Sequence, residues 1–280
     1  MFNKLPHNSF ELTLTIPAVK IAEAKEKITN ELVSEAEIDG FRKGKAPREV
    51  VEPKLDQNRV KGLIIEKLLP EFYAQAIQEN NLQPIVNPQI SLVSVEDGKD
   101  WQFKAVSCEK PTVTLGNYKE EIHGLKAKAK LWVPGKDIKP DDKESLKSPS
   151  LGEFLQVLIK TGKVDLADML IEEEANKLLS QLLTDVQKLG LSLEQYLANV
   201  GKNVETIKAE YAQKARETLS LEFILAEIAE VEKITVTPEE IASAVSKVED
   251  AKAKEQLQKD SYYLSYLLRK QKTLEFLQNL

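Results

Sequence analysis

Strand-like and helical hydrophobic periodicities both occur in residues 1–115, whereas only the helical one occurs from residue 151 onward, and this difference restricts the fold more than any other feature of the sequence. In SFELTLTI, residues 9–16, apolar and polar residues alternate, which predicts a half-buried β-strand. From residue 151 onward, apolar residues recur at three- and four-residue steps, as in DLADMLIEEEANKLLSQLLTDVQKLG. We therefore expect an α+β N-terminal part followed by an all-α helical part.

This pattern divides the chain into two domains and a linker. Residues 1–115 are predicted to fold in the order β-α-α-α-β-β, with Asp97-Gly98 at the turn between the last two strands. Residues 116–150 are rich in Pro, Ser, Lys and Asp and predict a linker, with one short strand at residues 123–133. Residues 151–280 are predicted to form the helical domain, since 280 residues are enough for two ordinary domains.

The charge of the chain is unevenly distributed. The net charge is −6, but residues 1–115 carry 15 basic and 17 acidic residues, residues 116–149 carry 8 and 6, and the remainder carries 16 and 22. This balance disfavours wholesale electrostatic binding to nucleic acid. Any contact with phosphate groups is expected to be local.

Several features favour a cytoplasmic protein. No apolar run approaches the ~18–20 residues that a membrane span needs, so we expect no membrane contact. The N-terminal MFNKLPHNSFELTL lacks the pattern of an export signal, which disfavours an exported protein. Cys108 is the only cysteine, which rules out an intrachain disulfide and fits a reducing compartment.

Motifs of enzymatic chemistry are missing from the sequence. His7, His123 and Cys108 are too few and too far apart for a zinc or haem site. Neither G-x-S-x-G nor H-E-x-x-H occurs, and the closest approach to a phosphate-binding P-loop, at residues 40–47, departs from that pattern in its spacing and at Ala46. We therefore predict no catalytic residue, no metal ligand and no cofactor, and we expect that the protein is not an enzyme.

One short segment concentrates positive charge. GFRKGKAP, residues 40–47, together with Arg48, holds four cationic side chains around one phenylalanine, and no acidic residue interrupts them. Glycines on either side of such a segment allow a tight loop that presents its side chains at a convex tip. Considered alone, the segment favours a solvated basic loop whose Phe41 folds back into the core.

With its flanking residues, IDGFRKGKAPREVVE resembles the signature loop of trigger factor, a bacterial chaperone family that binds the ribosome at the exit tunnel. LLPEFYAQAIQENNLQPIVNPQI and KPTVTLGNYK are also similar to the N-terminal domain of that family, and the helical region resembles its C-terminal domain more loosely. Members usually carry a prolyl isomerase domain of the FK506-binding type between these parts. Here only residues 116–149 occupy that place, so the resemblance implies a form without the isomerase.

The resemblance implies that Phe41, Arg42 and Lys43 contact the ribosome. Gly40, Gly44 and Pro47 match the residues that frame this loop, and Lys45 and Arg48 add positive charge beside it. Arginine can pair bidentately with a carboxylate of a ribosomal protein or a phosphate of rRNA, and an exposed phenylalanine is a typical apolar anchor.

Two helical segments are apolar on more than one face. They contain Leu219, Leu221, Phe223, Ile224, Leu225 and Ile228 in one, and Tyr262, Tyr263, Leu264, Tyr266, Leu267 and Leu268 in the other. Both could lie in the middle of the helical bundle, or part of this surface could form a groove for another polypeptide. The candidate client-binding residues are Phe223, Leu225, Tyr262, Tyr263 and Tyr266.

The function predicted from these residues is an ATP-independent, ribosome-associated chaperone that holds nascent or unfolded polypeptides and lacks prolyl isomerase activity. The alternative is a ribosome- or rRNA-bound assembly factor or adaptor that binds no client. The expected partners are a ribosomal protein and rRNA at the exit tunnel and the nascent chain, and a homodimer off the ribosome is left open.

Overall fold

The computed structural model describes residues 1–37, 39–129, 149–246 and 260–280. The chain forms two compact units, Met1–Lys110 and Pro111–Leu280. Among the helices of these described ranges, none is both long enough and apolar enough to cross a membrane.

The first unit is an α+β fold, as the periodicity predicts. Its elements are β1 Phe2–Lys4, β2 Ser9–Ile16, α1 Ala18–Glu35, α2 Arg48–Val51, a 3-10 turn Glu52–Lys54, α3 Gln57–Glu79, β3 Gln89–Ser94 and β4 Trp101–Cys108. The predicted order is confirmed except for β1, a three-residue strand that the alternation did not reveal.

The four strands form one antiparallel sheet in the order β1-β2-β4-β3. Alternate residues of β2 and β4 point to one face, and α1 and α3 cover that face, so their apolar side chains are buried together. This core contains Phe10, Leu12, Leu14, Ile16, Trp101, Phe103 and Ala105 from the strands and Ile21, Ile28, Val60, Ile64 and Leu68 from the helices. The loop between α1 and α2 thus follows directly after a helix that packs on the sheet.

The second unit is mainly helical. Its described elements are β5 Val113–Thr114, α4 Tyr118–Ala129, α5 Leu151–Thr161, β6 Lys163–Val164, α6 Asp168–Lys188, α7 Leu193–Val200, α8 Val204–Val231, α9 Pro238–Ser246 and α10 Ser261–Asn279. The long helix α8 packs against α5, α6 and α10. A core of Tyr118, Ile122, Phe154, Leu158, Ile224, Leu225, Ile228 and Leu277 joins α4, α5, α8 and α10.

Local signals in the sequence fix where these helices begin and end. The Oγ atom of Ser192 accepts from the N–H of Gln195, and the Gln195 side chain accepts from the N–H of Ser192, which forms a capping box at α7. Thr237 and Glu240 make the same reciprocal pair at α9. Gly190 follows α6 with φ of 73°, where a glycine is tolerated without steric cost.

The structure differs from the sequence predictions around the linker. The prediction of a strand at residues 123–133 is wrong for the described residues of that range. Residues 118–129 form helix α4 and bury Tyr118 and Ile122 in the second core. Residues 130–148 of the predicted linker lie outside the described residues. The short antiparallel pair β5–β6 was also missed, so the helical part is not purely α.

Candidate functional site

The loop between α1 and α2 is held at both ends by backbone contacts and burial. The N–H of Gly44 donates to the carbonyl oxygen of Ala36 at 3.0 Å, which closes the base of the loop just after α1 ends. On the other side, Ala46 and Val51 are buried. Pro47 is the N-cap residue of α2 and lies directly before its first residue, Arg48.

Both glycines of the loop adopt left-handed backbone conformations. Gly40 has φ of 88° and Gly44 has φ of 67°, values that other L-residues rarely adopt. Gly44 has a second constraint, because a Cβ atom there would collide with the carbonyl oxygen of Ser34. The glycines therefore set the path of the chain, as the sequence predicts for framing positions.

The tip of the loop presents Phe41, Arg42, Lys43 and Lys45 to solvent. Phe41 is 45% exposed, so it is not folded back into the core. The N–H of Lys45 donates to the carbonyl oxygen of Arg42 at 2.9 Å, a turn that brings the two residues to the same end of the loop. The result is an exposed aromatic ring next to three exposed cationic side chains.

These cations differ in how they are engaged. Among the described residues, Arg42 and Lys45 have no ion-pair partner, and Lys43 lies 3.7 Å from Glu37 with both side chains largely exposed, a pair that contributes little. Arg48 is different, because its Nε donates to Glu52 at 3.0 Å and a guanidinium N–H donates to Asn30 at 3.3 Å. Arg48 therefore supports helix α2 in this structure. It is a weaker candidate for an external contact than Arg42, Lys43 and Lys45, although the sequence grouped all four cationic residues together.

The candidate client-binding residues are spread from core to surface. In α10, Tyr262 is 86% and Tyr263 51% exposed. Phe223 and Tyr266 are half-buried, and the Tyr266 hydroxyl donates to Glu222 at 2.7 Å, which fastens α10 to α8. Leu225 is buried in the second core, so it packs the bundle and is not available on the surface.

The structure separates the residues of the two apolar helices into buried and exposed ones. The side of α8 that includes Ile224, Leu225 and Ile228 is bundle core. The first turns of α10 leave an apolar surface formed by Tyr262, Tyr263 and the 40% exposed Leu267. A surface of this kind can contact an unfolded chain without rearrangement of the core.

A polar cluster ties α4 to the end of α8. The Tyr118 hydroxyl donates to the Glu232 carboxylate at 2.8 Å, and Lys119 Nζ lies 2.7 Å from the same oxygen. Both hydrogen bonds lower the pKa of the Glu232 carboxyl, and the bond from Lys119 has the larger effect. The pKa of the Tyr118 hydroxyl is raised, mainly by burial and to a smaller extent by the hydrogen bond to Glu232.

Helix α10 is held to α9 and to the α8–α9 connection in a similar way. Lys272 Nζ donates to both carboxylate oxygens of Glu240, at 2.8 and 3.0 Å, and to the carbonyl oxygen of Thr235. The pKa of the Glu240 carboxyl is lowered, mainly by the hydrogen bond from Lys272 and secondly by the hydrogen bond from the backbone N–H of Thr237. Arg269 Nε also donates to the carbonyl oxygen of Ile234 at 2.9 Å. These contacts fix the helix that presents the exposed tyrosines.

Neither polar cluster was foreseen from the sequence. Tyr118 and Glu232 are 114 positions apart, and no local pattern connects them. The support of Arg48 by Glu52 could have been found, because an Arg-Glu pair at spacing i, i+4 on a helix is a known stabilising arrangement.

In the part of the chain that the structure describes, no group of three or more His, Cys, Asp or Glu side chains could hold a metal ion.

The fold and the loop together define a class: a two-unit protein whose α+β unit presents a cationic loop with an aromatic tip and whose helical unit exposes aromatic side chains. The chain belongs to the trigger factor family. The family model described as bacterial trigger factor protein matches residues 2–144, and the model of the trigger factor C-terminus matches residues 136–278.

Individual relatives agree with this assignment. The trigger factors of Staphylococcus aureus strains JH9 and Newman are each 31% identical over 159 residues, which are 57% of this chain and 35% of each relative. The chain thus matches about a third of the length of these relatives. A solved structure described as showing promiscuous substrate recognition in folding and assembly activities of the trigger factor chaperone has a TM-score of 0.62 and 14% identity, covering 100% of this chain and 99% of that one. This last similarity establishes the shared fold.

Proposed function

We propose that this protein is a ribosome-associated chaperone that docks through the loop at residues 40–48 and holds unfolded polypeptide on its helical unit. The observation that carries the proposal is the exposed tip of Phe41, Arg42, Lys43 and Lys45 on a frame that Gly40 and Gly44 define. Family membership supplies the expected partners, a ribosomal protein and rRNA near the exit tunnel. Such a protein acts in the cytoplasm, where ribosomes are.

The chemistry of the loop suits reversible docking. The Arg42 guanidinium offers a fork of donors to a carboxylate or phosphate, and Lys43 and Lys45 attract a polyanion. Phe41 supplies apolar contact area next to these charges. A few contacts of this kind give modest binding that weakens as salt increases, which allows the protein to leave the ribosome.

Client holding is assigned to the exposed apolar surface of α10, which includes Tyr262, Tyr263 and Leu267. Covering apolar segments of an unfolded chain lowers the population that is free to aggregate, and this requires no ATP. Several weak contacts along one tethered chain add up to useful avidity. The surface tyrosines and family membership favour this function over the adaptor without client binding.

We also propose that the protein has no prolyl isomerase activity. The two family models overlap at residues 136–144, so their matches leave no insertion between the N-terminal and C-terminal parts. Residues 118–129, at the start of this connection, are helical and belong to the second core. The test is a chymotrypsin-coupled isomerisation assay on a proline tetrapeptide, in which we expect the uncatalysed rate.

Ribosome co-sedimentation tests docking. We expect Phe41→Ala/Arg42→Ala/Lys43→Ala to lose most of the pelleting with ribosomes while its circular dichroism spectrum stays unchanged. A matched control, Val19→Ala/Lys25→Ala/Lys27→Ala, removes one exposed apolar and two exposed basic side chains from α1 of the same unit. Docking through the loop is refuted if both variants pellet like the wild type.

Suppression of aggregation tests client holding separately. A chemically unfolded protein is diluted into buffer with or without the purified chain, and light scattering is followed. We expect the chain to lower the scattering without added ATP. If the chain binds ribosomes but leaves the scattering unchanged, the alternative function, an adaptor that binds no client, is favoured instead.

A further inference from the structure

Strand β3, Gln89–Ser94, forms an edge of the sheet in the first unit. In the order β1-β2-β4-β3 it pairs with β4 along one side, and no described strand pairs with its other side. An edge strand carries backbone N–H and C=O groups that point away from the sheet. These groups are available to another extended chain.

The side chains of β3 make this edge apolar. Ile90 lies opposite Ala105 and Leu92 lies opposite Phe103, so all four side chains share one face of the sheet. Phe103 and Ala105 are buried in the core, whereas Ile90 is 40% and Leu92 63% exposed. The apolar face of the sheet therefore continues beyond the area that α1 and α3 cover, out to the edge.

Charge is missing along the same edge. Residues 82–95, LQPIVNPQISLVSV, contain no Asp, Glu, Lys or Arg, although 30% of the chain is charged. Edge strands are commonly protected by charged side chains or by proline within the strand, and β3 has neither. The register shifts between Leu92 and Ser94, and Val93 within this shift is 49% exposed. A partner complementary to this edge is an uncharged extended segment.

We propose that the β3 edge binds an extended, uncharged segment of an unfolded polypeptide by strand addition. The backbone of the segment pairs with the open N–H and C=O groups of β3, and its alternate apolar side chains lie beside Ile90 and Leu92. Strand addition rests on the proposed client-holding function, to which it adds a client surface on the unit that carries the loop. It selects segments by low charge and apolar alternation, since main-chain pairing itself is independent of sequence.

Two labelled peptides separate backbone pairing from general stickiness. The first is a fluorescein-labelled octapeptide of alternating isoleucine and threonine, and the second carries N-methyl groups on its two adjacent central residues. Because neighbouring residues of a strand direct their N–H groups to opposite edges, the methyl groups block both edges and leave the side chains in place. By fluorescence anisotropy with the full chain, we expect binding of the second peptide to be about tenfold weaker, as for loss of central hydrogen bonds.

Variants locate the binding at β3. Leu92→Lys places a charge on an exposed edge position, and Val19→Lys makes the same kind of change at a 68% exposed position of α1 in the same unit. We expect Leu92→Lys to bind the first peptide about fivefold to tenfold more weakly than Val19→Lys does, because apolar contact with Leu92 is lost. Hydrogen exchange on the wild type adds a reading that does not depend on a variant: the first peptide should protect backbone amides of residues 89–94.

The outcomes distinguish this proposal from the proposed function. If the wild type suppresses aggregation but binds both peptides equally, or if Leu92→Lys binds the first peptide like Val19→Lys, strand addition is refuted and client holding stands. If Leu92→Lys only turns a dimer into a monomer in sedimentation, the edge serves a second copy and the proposal is again refuted. If the wild type neither suppresses aggregation nor binds the first peptide, client holding and strand addition both fail.

Discussion

Gly44 lies so close to Ser34 that a side chain at Gly44 would collide with the Ser34 carbonyl oxygen. The same residue has φ of 67°, so two separate features of this position require glycine, and its N–H also donates to the carbonyl oxygen of Ala36. The last turn of α1 and the base of the loop are thereby packed backbone against backbone. The direction in which the tip residues Phe41, Arg42 and Lys43 leave the unit depends on this contact.

We therefore expect Gly44→Ala to weaken ribosome binding without removing any tip side chain. The collision and the left-handed conformation force the loop to move, at a cost of about 1–3 kcal/mol in the free energy of unfolding. Gly40→Ala is the matched control, because Gly40 has a similar φ but nothing within 4 Å of an added Cβ. Pelleting with ribosomes and thermal unfolding measure both effects, and equal losses in the two variants would contradict the role of the Ser34 contact.

Lys45 and Arg48 should behave differently when each is replaced by alanine. Lys45 has no ion-pair partner among the described residues, so Lys45→Ala should reduce the affinity for the ribosome. The plot of log K against log salt concentration should also become less steep, by about the amount expected for one lost phosphate contact. Arg48 is bound by Glu52 and Asn30, so Arg48→Ala should affect mainly the stability of α2. Binding measured at several salt concentrations separates the two, and a larger change in slope for Arg48→Ala would reverse this assignment.

The first unit could be predicted well from the sequence because its signals are local and strong. The alternation in β2 that buries Phe10 and Leu12 and the Asp97-Gly98 turn are each contained within a few residues. Strand β1 has three residues, all exposed, and so carries no periodic signal. The exposure of Phe41 agrees with what the family resemblance implies, whereas the bond of Arg48 to Asn30, 18 residues away, has no local signal.

Helix α4 shows why the linker prediction failed where the structure describes it. Its apolar positions Tyr118, Ile122 and Leu125 follow i, i+4 and i+7 spacing, but three lysines and two glutamates in the helix mask this pattern. The open edge at β3 had a visible signal, the uncharged run of residues 82–95. What the sequence could not reveal is that no strand among the described residues pairs with the outer side of β3, because sheet order depends on contacts distant in the chain.

The bond between Tyr118 and Glu232 predicts a pH-dependent contribution to stability. Because the pKa of Glu232 is lowered in the folded state, this contribution is complete above the pKa of an unfolded glutamate and is lost as the pH falls through the lowered folded value. Tyr118→Phe removes one of the two donors to Glu232, so we expect a loss of about 1–2 kcal/mol at pH 7. The difference from the wild type should shrink in acid.

Urea unfolding at pH 7 and at pH 3.5 measures this dependence. Tyr263→Phe is the control, because the Tyr263 ring is half exposed and should change the stability little at either pH. A loss from Tyr118→Phe that is the same at both pH values would show that the ionised Glu232 is not the source of the effect.

Tyr262 and Tyr263 should affect client holding and leave the fold intact, while Leu225 should do the opposite. Tyr262→Ala/Tyr263→Ala removes exposed rings, so aggregation suppression should weaken while the unfolding midpoint changes little. Leu225→Ala leaves a cavity in the second core and should lower the free energy of unfolding by about 2–5 kcal/mol. Light scattering of an unfolded client, measured below the unfolding temperature of each variant, compares them directly. If the double tyrosine variant protects the client as well as the wild type does, the exposed surface of α10 is not where the client binds.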